Sequence, residues 1–227
     1  MIEPLRLVVF DVDGTLVDSQ ADIVSSMTQA FELAGRDVPP RDTILHTVGL
    51  SLPQMMRSLA PQASAADQDA LVRAYKTAYR NRRVAAGSKA SSPLYPGITA
   101  LLRMLRNIDP LLLGVATGKS RRGLDALLEA HDLKECFVTT QCADDHPSKP
   151  HPSMLLAAMS ETGVDAANAV LVGDTSYDIA MGKAASISTI AVTWGYHARD
   201  ALADAYVIVD SVDALATALT PWTEIRK

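Results

Sequence analysis

Leu5-Arg6-Leu7-Val8-Val9-Phe10-Asp11-Val12-Asp13-Gly14-Thr15-Leu16 is a short apolar run that ends abruptly in charge and then in glycine. A β-rich run of that length with a charged stop predicts a strand buried on both faces, as in a parallel sheet. The same kind of run returns after Pro96 in alternation with amphipathic segments. A helix carrying Ile98, Leu101, Leu102 and Leu105 precedes a strand at 111–116, and a helix carrying Leu124, Leu127 and Leu128 precedes a weaker strand at 136–139. A helix at 153–162, a strand at 169–172, a helix at 177–185, strands at 189–192 and 206–209, and a helix with Leu215 and Leu219 complete the pattern. Strands alternating with helices predict an α/β chain with a doubly wound, Rossmann-like parallel sheet.

Residues 19–86 break the alternation. Ile23, Met27, Ala30, Phe31 and Ala34 fall at helical spacing before Gly35. Short helices are expected at 43–48 and 54–59, and a longer one at 66–86 places Leu71, Ala74, Tyr75, Ala78 and Tyr79 on one face. The polar stretch Gly87-Ser88-Lys89-Ala90-Ser91-Ser92-Pro93 reads as a hinge. The expected organisation is a core formed by 1–16 and 93–227, with an all-α cap inserted over 17–92.

The whole-chain figures exclude several classes. A net charge of −5 over 227 residues disfavours nonspecific nucleic-acid binding, which needs a basic face. No window approaches the roughly 18 apolar residues of a membrane span. The first strand starts so near Met1 that a removable signal peptide is not expected. The two cysteines, Cys136 and Cys142, lack metal-ligand spacing and read as free thiols. A cytoplasmic protein without nucleic-acid or membrane partners is expected.

In an open α/β sheet, ligands bind beyond the carboxyl ends of the strands. The residues there are Asp11 and Asp13, Thr117-Gly118, and Gly173-Asp174-Thr175-Ser176-Tyr177-Asp178, with Ser148-Lys149-Pro150 before a core helix. Asp11 and Asp13 are two apart and face one side of an extended backbone. Paired carboxylates can divide nucleophilic attack and proton transfer. Taken singly, each aspartate reads as a turn residue or helix cap. Together, four carboxylates with one ammonium call for a cation, and an all-oxygen ligand set beside a phosphate points to Mg²⁺. Lys149 and Thr117 are then expected to hold phosphoryl oxygens.

These four segments, in this order, resemble the motifs of the haloacid dehalogenase superfamily, and the phosphoglycolate phosphatase-like group with a helical cap most of all. The resemblance spans essentially the whole chain, and Pro96-Gly97 is similar to that group's entry to the core. It implies a phosphatase acting on a small phosphorylated metabolite such as phosphoglycolate. Asp11 is the implied nucleophile and Asp13 the general acid, then base. The implied Mg²⁺ ligands are the Asp11 side chain, the Asp13 carbonyl and Asp174, with Asp178 in support. Thr117, Gly118 (through its N–H) and Lys149 are the implied phosphate binders. Many relatives carry Asn where this chain has Gly118. A phosphosugar mutase of the same superfamily and a non-hydrolytic phospho-acceptor share much of this machinery and stand as alternatives.

Other features read as background. Thr117-Gly118-Lys119-Ser120 imitates the end of a P-loop, but Leu113 stands where the loop needs glycine. Trp194-Gly195-Tyr196 reads as a packed loop, and His146, His151 and His197 as exposed loop residues. Lys119, Arg121 and Arg122 oppose the dipole at the start of a helix. That placement suggests that one of them meets an anionic substrate, against the alternative of a solvated basic turn.

Overall fold

The side chains of β1 (Arg6–Phe10) alternate between two cores, and this alternation organises the rest of the chain. The computed structural model describes residues 4–223. Val8 and Phe10 face one cluster, Leu7 and Val9 the other, and all four are fully buried. Burying side chains of this size contributes about 1.5–3 kcal/mol each, so β1 anchors both layers.

Four helical elements follow: α1 (Gln20–Leu33), α2 (Arg41–His46), α3 (Leu52–Leu59) and α4 (Ala65–Ala86). A single turn, α5 (Ser88–Ser91), leads to α6 (Ile98–Arg106) and β2 (Leu111–Thr117). Then come α7 (Arg121–Ala130), β3 (Thr139–Cys142), α8 (Ser153–Thr162), β4 (Ala169–Gly173), α9 (Ser176–Ala184), β5 (Ser188–Val192), β6 (Val207–Val209), α10 (Val212–Ala218) and α11 (Thr220–Thr223). The six strands form one parallel sheet in the order β3-β2-β1-β4-β5-β6. Helices α6, α7, α10 and α11 cover the Val8–Phe10 face through Leu102, Leu124, Leu215 and Trp222. Helices α8 and α9 cover the other face through Met154, Leu155 and Met181. This is the doubly wound α/β fold the alternation predicts. The chain leaves β1 for β2 on one side and later returns to β4 on the other, which opens a crevice at the carboxyl end of β1.

Helices α1–α4 have a hydrophobic cluster of their own, in which Ile23, Met27, Phe31, Ile44, Met56 and Leu71 are buried. Ser64 caps α4 by accepting the Asp67 N–H at 3.2 Å, a contact that stabilises a helix by about 1 kcal/mol. The two passages between these helices and the sheet lie side by side. Asp18 N–H donates to the Pro93 carbonyl at 2.9 Å, and Val17 bridges Leu94.

Two expectations are corrected. The weak strand lies at 139–142, and residues 134–136 form a 3-10 turn. Cys136 at the end of that turn and Phe137 just after it fill the core, which is why an apolar run there is not a strand. The stretch 87–93 contains the turn α5, and its Ser91 is buried against Asp22. His131 also contacts the Ser92 carbonyl at 2.8 Å. Ser91 and Ser92 thus make tertiary contacts beyond linker polarity.

Candidate active site

Asp11 leaves β1 still paired to the sheet, its N–H donating to the Val172 carbonyl at 2.9 Å. The turn that follows folds back on itself. Gly14 N–H donates to the Val17 carbonyl at 2.9 Å, with Gly14 at φ +89°, a conformation that favours glycine. The turn brings Thr15 to Asp174, whose Oδ1 accepts the Thr15 hydroxyl at 2.8 Å. Tyr196 N–H donates to the other Asp174 oxygen at 2.8 Å. A Cβ on either Gly14 or Gly195 would lie 2.2 Å from Asp174 Oδ2, so two glycines make the slot for this carboxylate.

Asp178 has two jobs. As the third residue of α9 it forms a reciprocal cap with Thr175, taking the Thr175 N–H at 3.1 Å and hydroxyl at 2.6 Å on Oδ2. Its Oδ1 accepts Lys149 Nζ at 2.7 Å, and the same ammonium lies 2.7 Å from Asp11 Oδ1. Lys149 is completely buried. Burial disfavours its charge, but Asp11 and Asp178 outweigh that and hold its pKa above the usual lysine range. Asp11 itself is pushed up to about 7 by burial, with Lys149 pulling it down and Asp178 and Asp13 adding to the rise. Burial, with Asp11 and Asp178 adding to it, likewise raises Asp174 well above the ordinary carboxylate range, against the Tyr196 N–H and Thr15 hydroxyl.

Asp11, Asp174 and Asp178 each offer an oxygen within 4.8 Å of the others. Asp11 Oδ2 is buried and receives no hydrogen bond among the described residues. Both Asp178 oxygens are engaged by Lys149 and Thr175. Both Asp174 oxygens are likewise engaged, by Thr15 and Tyr196, so the open oxygen of the trio belongs to Asp11, with Asp174 and Asp178 beside it. An all-carboxylate set with excess negative charge fits a hard divalent cation such as Mg²⁺.

Asp13 stands apart from that trio. Lys119 Nζ lies 2.6 Å from its Oδ1 and 2.8 Å from its Oδ2, and Ser19 donates to the same carboxylate. Lys119 also reaches the Tyr79 hydroxyl at 3.4 Å and lies 5.4 Å from that ring's centre. Of the three cations at the start of α7, Lys119 and Arg122 line the cavity beside Asp11, Asp13 and Thr117. Arg121 turns away to Asp145 at 2.9 Å and Thr140 at 2.7 Å. Its backbone N–H donates to Asp144 at 2.9 Å, which supplies negative charge at the helix start.

The structure thus brings Asp11, Asp13, Thr117, Lys149, Asp174 and Asp178 to one edge of the sheet. Ser19, Thr15, Gly195 and Tyr196 belong to the same network and were not legible as site residues. The Trp194-Gly195-Tyr196 loop is packed as expected, Trp194 donating to the Thr15 carbonyl at 3.2 Å.

His197 is buried, not exposed. Its ring stacks on His46 at 4.5 Å, Nε2 donates to the His46 carbonyl at 3.0 Å, and Nδ1 accepts the Ser176 N–H at 3.1 Å. Tyr177 packs edge-on at 5.3 Å. Burial lowers the pKa, with His46 adding to the fall and its carbonyl and Asp178 opposing it. A lowered histidine pKa means that the unfolded chain binds more protons. The stabilisation is therefore present above the unfolded value, about 6.5, and fades as pH falls from there toward the folded value. Between pH 7.5 and 5.5 the melting temperature of the wild type should fall relative to that of His197→Gln, the comparison removing the opposite trend of the raised carboxylates Asp11 and Asp174; identical pH profiles for both proteins would contradict this.

The family model for haloacid dehalogenase-like hydrolases matches residues 8–192. The chain belongs to this family. The hydrolase is 39% identical to "Probable phosphatase IndB" of Dickeya dadantii over 90% of this chain and 89% of that protein. It is 32% identical to the plasmid phosphoglycolate phosphatase of Cupriavidus necator over 96% and 94% of the two chains. The crystal structure of a predicted phosphatase from Clostridium acetobutylicum superposes with a TM-score of 0.83 at 25% identity, covering 96% of this chain and all of that one. The hydrolase is a phosphoric monoester hydrolase by class. No helix among its described residues is long and apolar enough to cross a membrane.

Proposed function

We propose that this enzyme hydrolyses a small phosphate monoester through an aspartyl-phosphate on Asp11, with Mg²⁺ as cofactor. The observation that carries the reading is Asp11 itself. It lies on the cavity wall with an oxygen free of hydrogen bonds, flanked by Lys149 and by two further carboxylates.

In the first half-reaction an Asp11 oxygen bonds to phosphorus while the ester P–O bond breaks, and Asp13 gives its proton to the departing oxygen. In the second, water attacks the phosphorus of the aspartyl-phosphate, Asp13 takes the water's proton, and Asp11 is restored as inorganic phosphate leaves. Thr117, the Gly118 N–H and Lys149 hold the phosphoryl oxygens as charge shifts among them. Lys119 engages both oxygens of Asp13, so it turns aside before Asp13 serves the leaving group. A substrate anion in the same cavity gives it another partner. Mg²⁺, held by Asp11, the Asp13 carbonyl and Asp174 with Asp178 in support, supplies positive charge that offsets the carboxylates and the incoming phosphate.

Residues 17–92 are the proposed cap over a core of 1–16 and 93–227, supported by the separate hydrophobic cluster of α1–α4. Phosphoglycolate is the first substrate to assay because relatives bear its name. The buried, unpaired cysteines suit the proposed cytoplasmic location.

The test is phosphate release from a panel of monoesters. Release should continue far beyond one equivalent per enzyme, stop in EDTA and resume with Mg²⁺. Undiminished activity in excess EDTA would remove the metal from the mechanism. A single equivalent of protein-bound phosphate without turnover would identify a phospho-acceptor instead.

A further inference from the structure

We propose that the substrate carries, beyond the scissile phosphate, a ring-sized body and a second oxyanion, and that α4 and Arg122 receive that oxyanion. The inference rests on the phosphatase reading and specifies the leaving group.

The cavity holds about 410 Å³, within the roughly 300–1,000 Å³ that accommodates ligands of drug size. A two-carbon acid phosphate fills only part of such a space. The wall is divided by chemistry. Leu52, Met55 and Tyr75 contribute an apolar side, and Lys76, Arg80, Arg83 and Arg122 a cationic one. Lys76, Arg80 and Arg83 are spaced by four and then three residues, which sets them on one face of α4.

None of these four cations has an ion-pair partner among the described residues. Arg82 on the same helix pairs with Asp22 at 2.9 Å, and Arg121 beside Arg122 pairs with Asp145 at 2.9 Å. On the motif side of the cavity Lys119 is paired with Asp13 at 2.6 Å, while Lys76, Arg80, Arg83 and Arg122 face the same space with no carboxylate partner among the described residues. Four cations round one cavity repel one another, and an oxyanion seated among them is attracted by all of them. The scissile phosphate does not account for them. Lys149 lies against Asp11, and Lys119 faces the cavity from the motif side. The planar guanidinium forks of arginine match a carboxylate or a phosphate.

The experiment compares kcat/KM for four alkyl phosphates: ethyl phosphate, phosphoglycolate, benzyl phosphate and 4-carboxybenzyl phosphate. The expected order puts 4-carboxybenzyl phosphate first, ahead of both phosphoglycolate and benzyl phosphate. Substituting 4-phosphonobenzyl phosphate then tells a phosphate-like terminus from a carboxylate. Arg80→Gln and Arg83→Gln should each cut the preference for 4-carboxybenzyl over benzyl phosphate about tenfold, the loss of one charge-assisted contact. Arg73→Gln removes an exposed cation from the same helix off the cavity wall, and should leave the preference within about twofold, as exposed charges at a distance are screened. Glutamine is a good helix former, so α4 is retained in each variant. Phosphoglycolate matching or exceeding 4-carboxybenzyl phosphate would overturn the inference alone, as would an unchanged preference in both cavity-wall variants. Hydrolysis of none of the four esters would take down the phosphatase reading and this inference with it.

Discussion

Asp11→Asn is expected to reduce steady-state phosphate release by about 10⁴–10⁶-fold, the range seen when a nucleophile is removed from an enzyme. The amide has the size of the carboxylate but cannot attack phosphorus. The fold should survive the change. Asp11 is buried, and its raised pKa of about 7 means that burial works against its charged form. For a carboxylate raised in this way the cost grows as pH climbs from the unfolded value toward 7, so a neutral amide relieves it at neutral pH. Lys149 also lies 2.7 Å from Asp178, a charged partner that the substitution leaves in place. Asp13→Asn should slow turnover less, by about 10²–10⁴-fold, because it removes proton transfer and leaves the nucleophile. Rapid-quench measurement of phosphate release, with melting curves to establish folding, separates the two. Wild-type turnover by a folded Asp11→Asn protein would sink the aspartyl-phosphate mechanism.

The parallel sheet explains how much of the site was legible. Once strands and helices alternate, the residues after β1, β2 and β4 must emerge at one edge, so Asp11, Thr117 and Asp174 could be placed together from sequence alone. The edge strand β3 was less visible. Its residues Thr139 and Gln141 are polar because Glu161 takes hydrogen bonds from both, at 2.5 and 2.9 Å, while the apolar Phe137 before it belongs to a loop. His197 was misread because burial of a loop histidine depends on what docks over it, here His46 of α2. The α4 cations have ordinary helical spacing, and only the packing of α1–α4 against the sheet turns that face toward Asp11. The slot around Asp174 likewise joins Gly14 and Gly195, which are far apart in the chain and ordinary as residue types.

Gly118→Ala, and Gly118→Asn more so, is expected to lower kcat/KM by about 10²-fold, the typical effect of a 1 Å misplacement in an active site. The family resemblance, which sets Asn at this place, would make the substitution look benign. The structure gives a steric reason to expect otherwise. A Cβ on Gly118 would lie 2.5 Å from the Leu50 carbonyl oxygen and 2.7 Å from that of Gly49. Both are backbone atoms, which cannot swing aside as a side-chain tip can. Gly118 has no positive φ, so the obstacle is contact and not local strain. The turn between α2 and α3 is fixed nearby, Ser51 N–H donating to Ser148 Oγ at 2.8 Å. Gly49 leaves little room in the other direction, since its own Cβ position is 3.1 Å from Thr175 Oγ1. A side chain at 118 therefore displaces the turn, and with it the wall that carries Leu50, Leu52 and Met55. Overpacking of this kind costs about 1–3 kcal/mol of stability, so melting should fall by a few degrees while activity falls much further. The alanine variant isolates the Cβ from any chemistry of the asparagine amide. If Gly118→Ala keeps wild-type kinetics, the α2–α3 turn is not seated on the end of β2 during turnover.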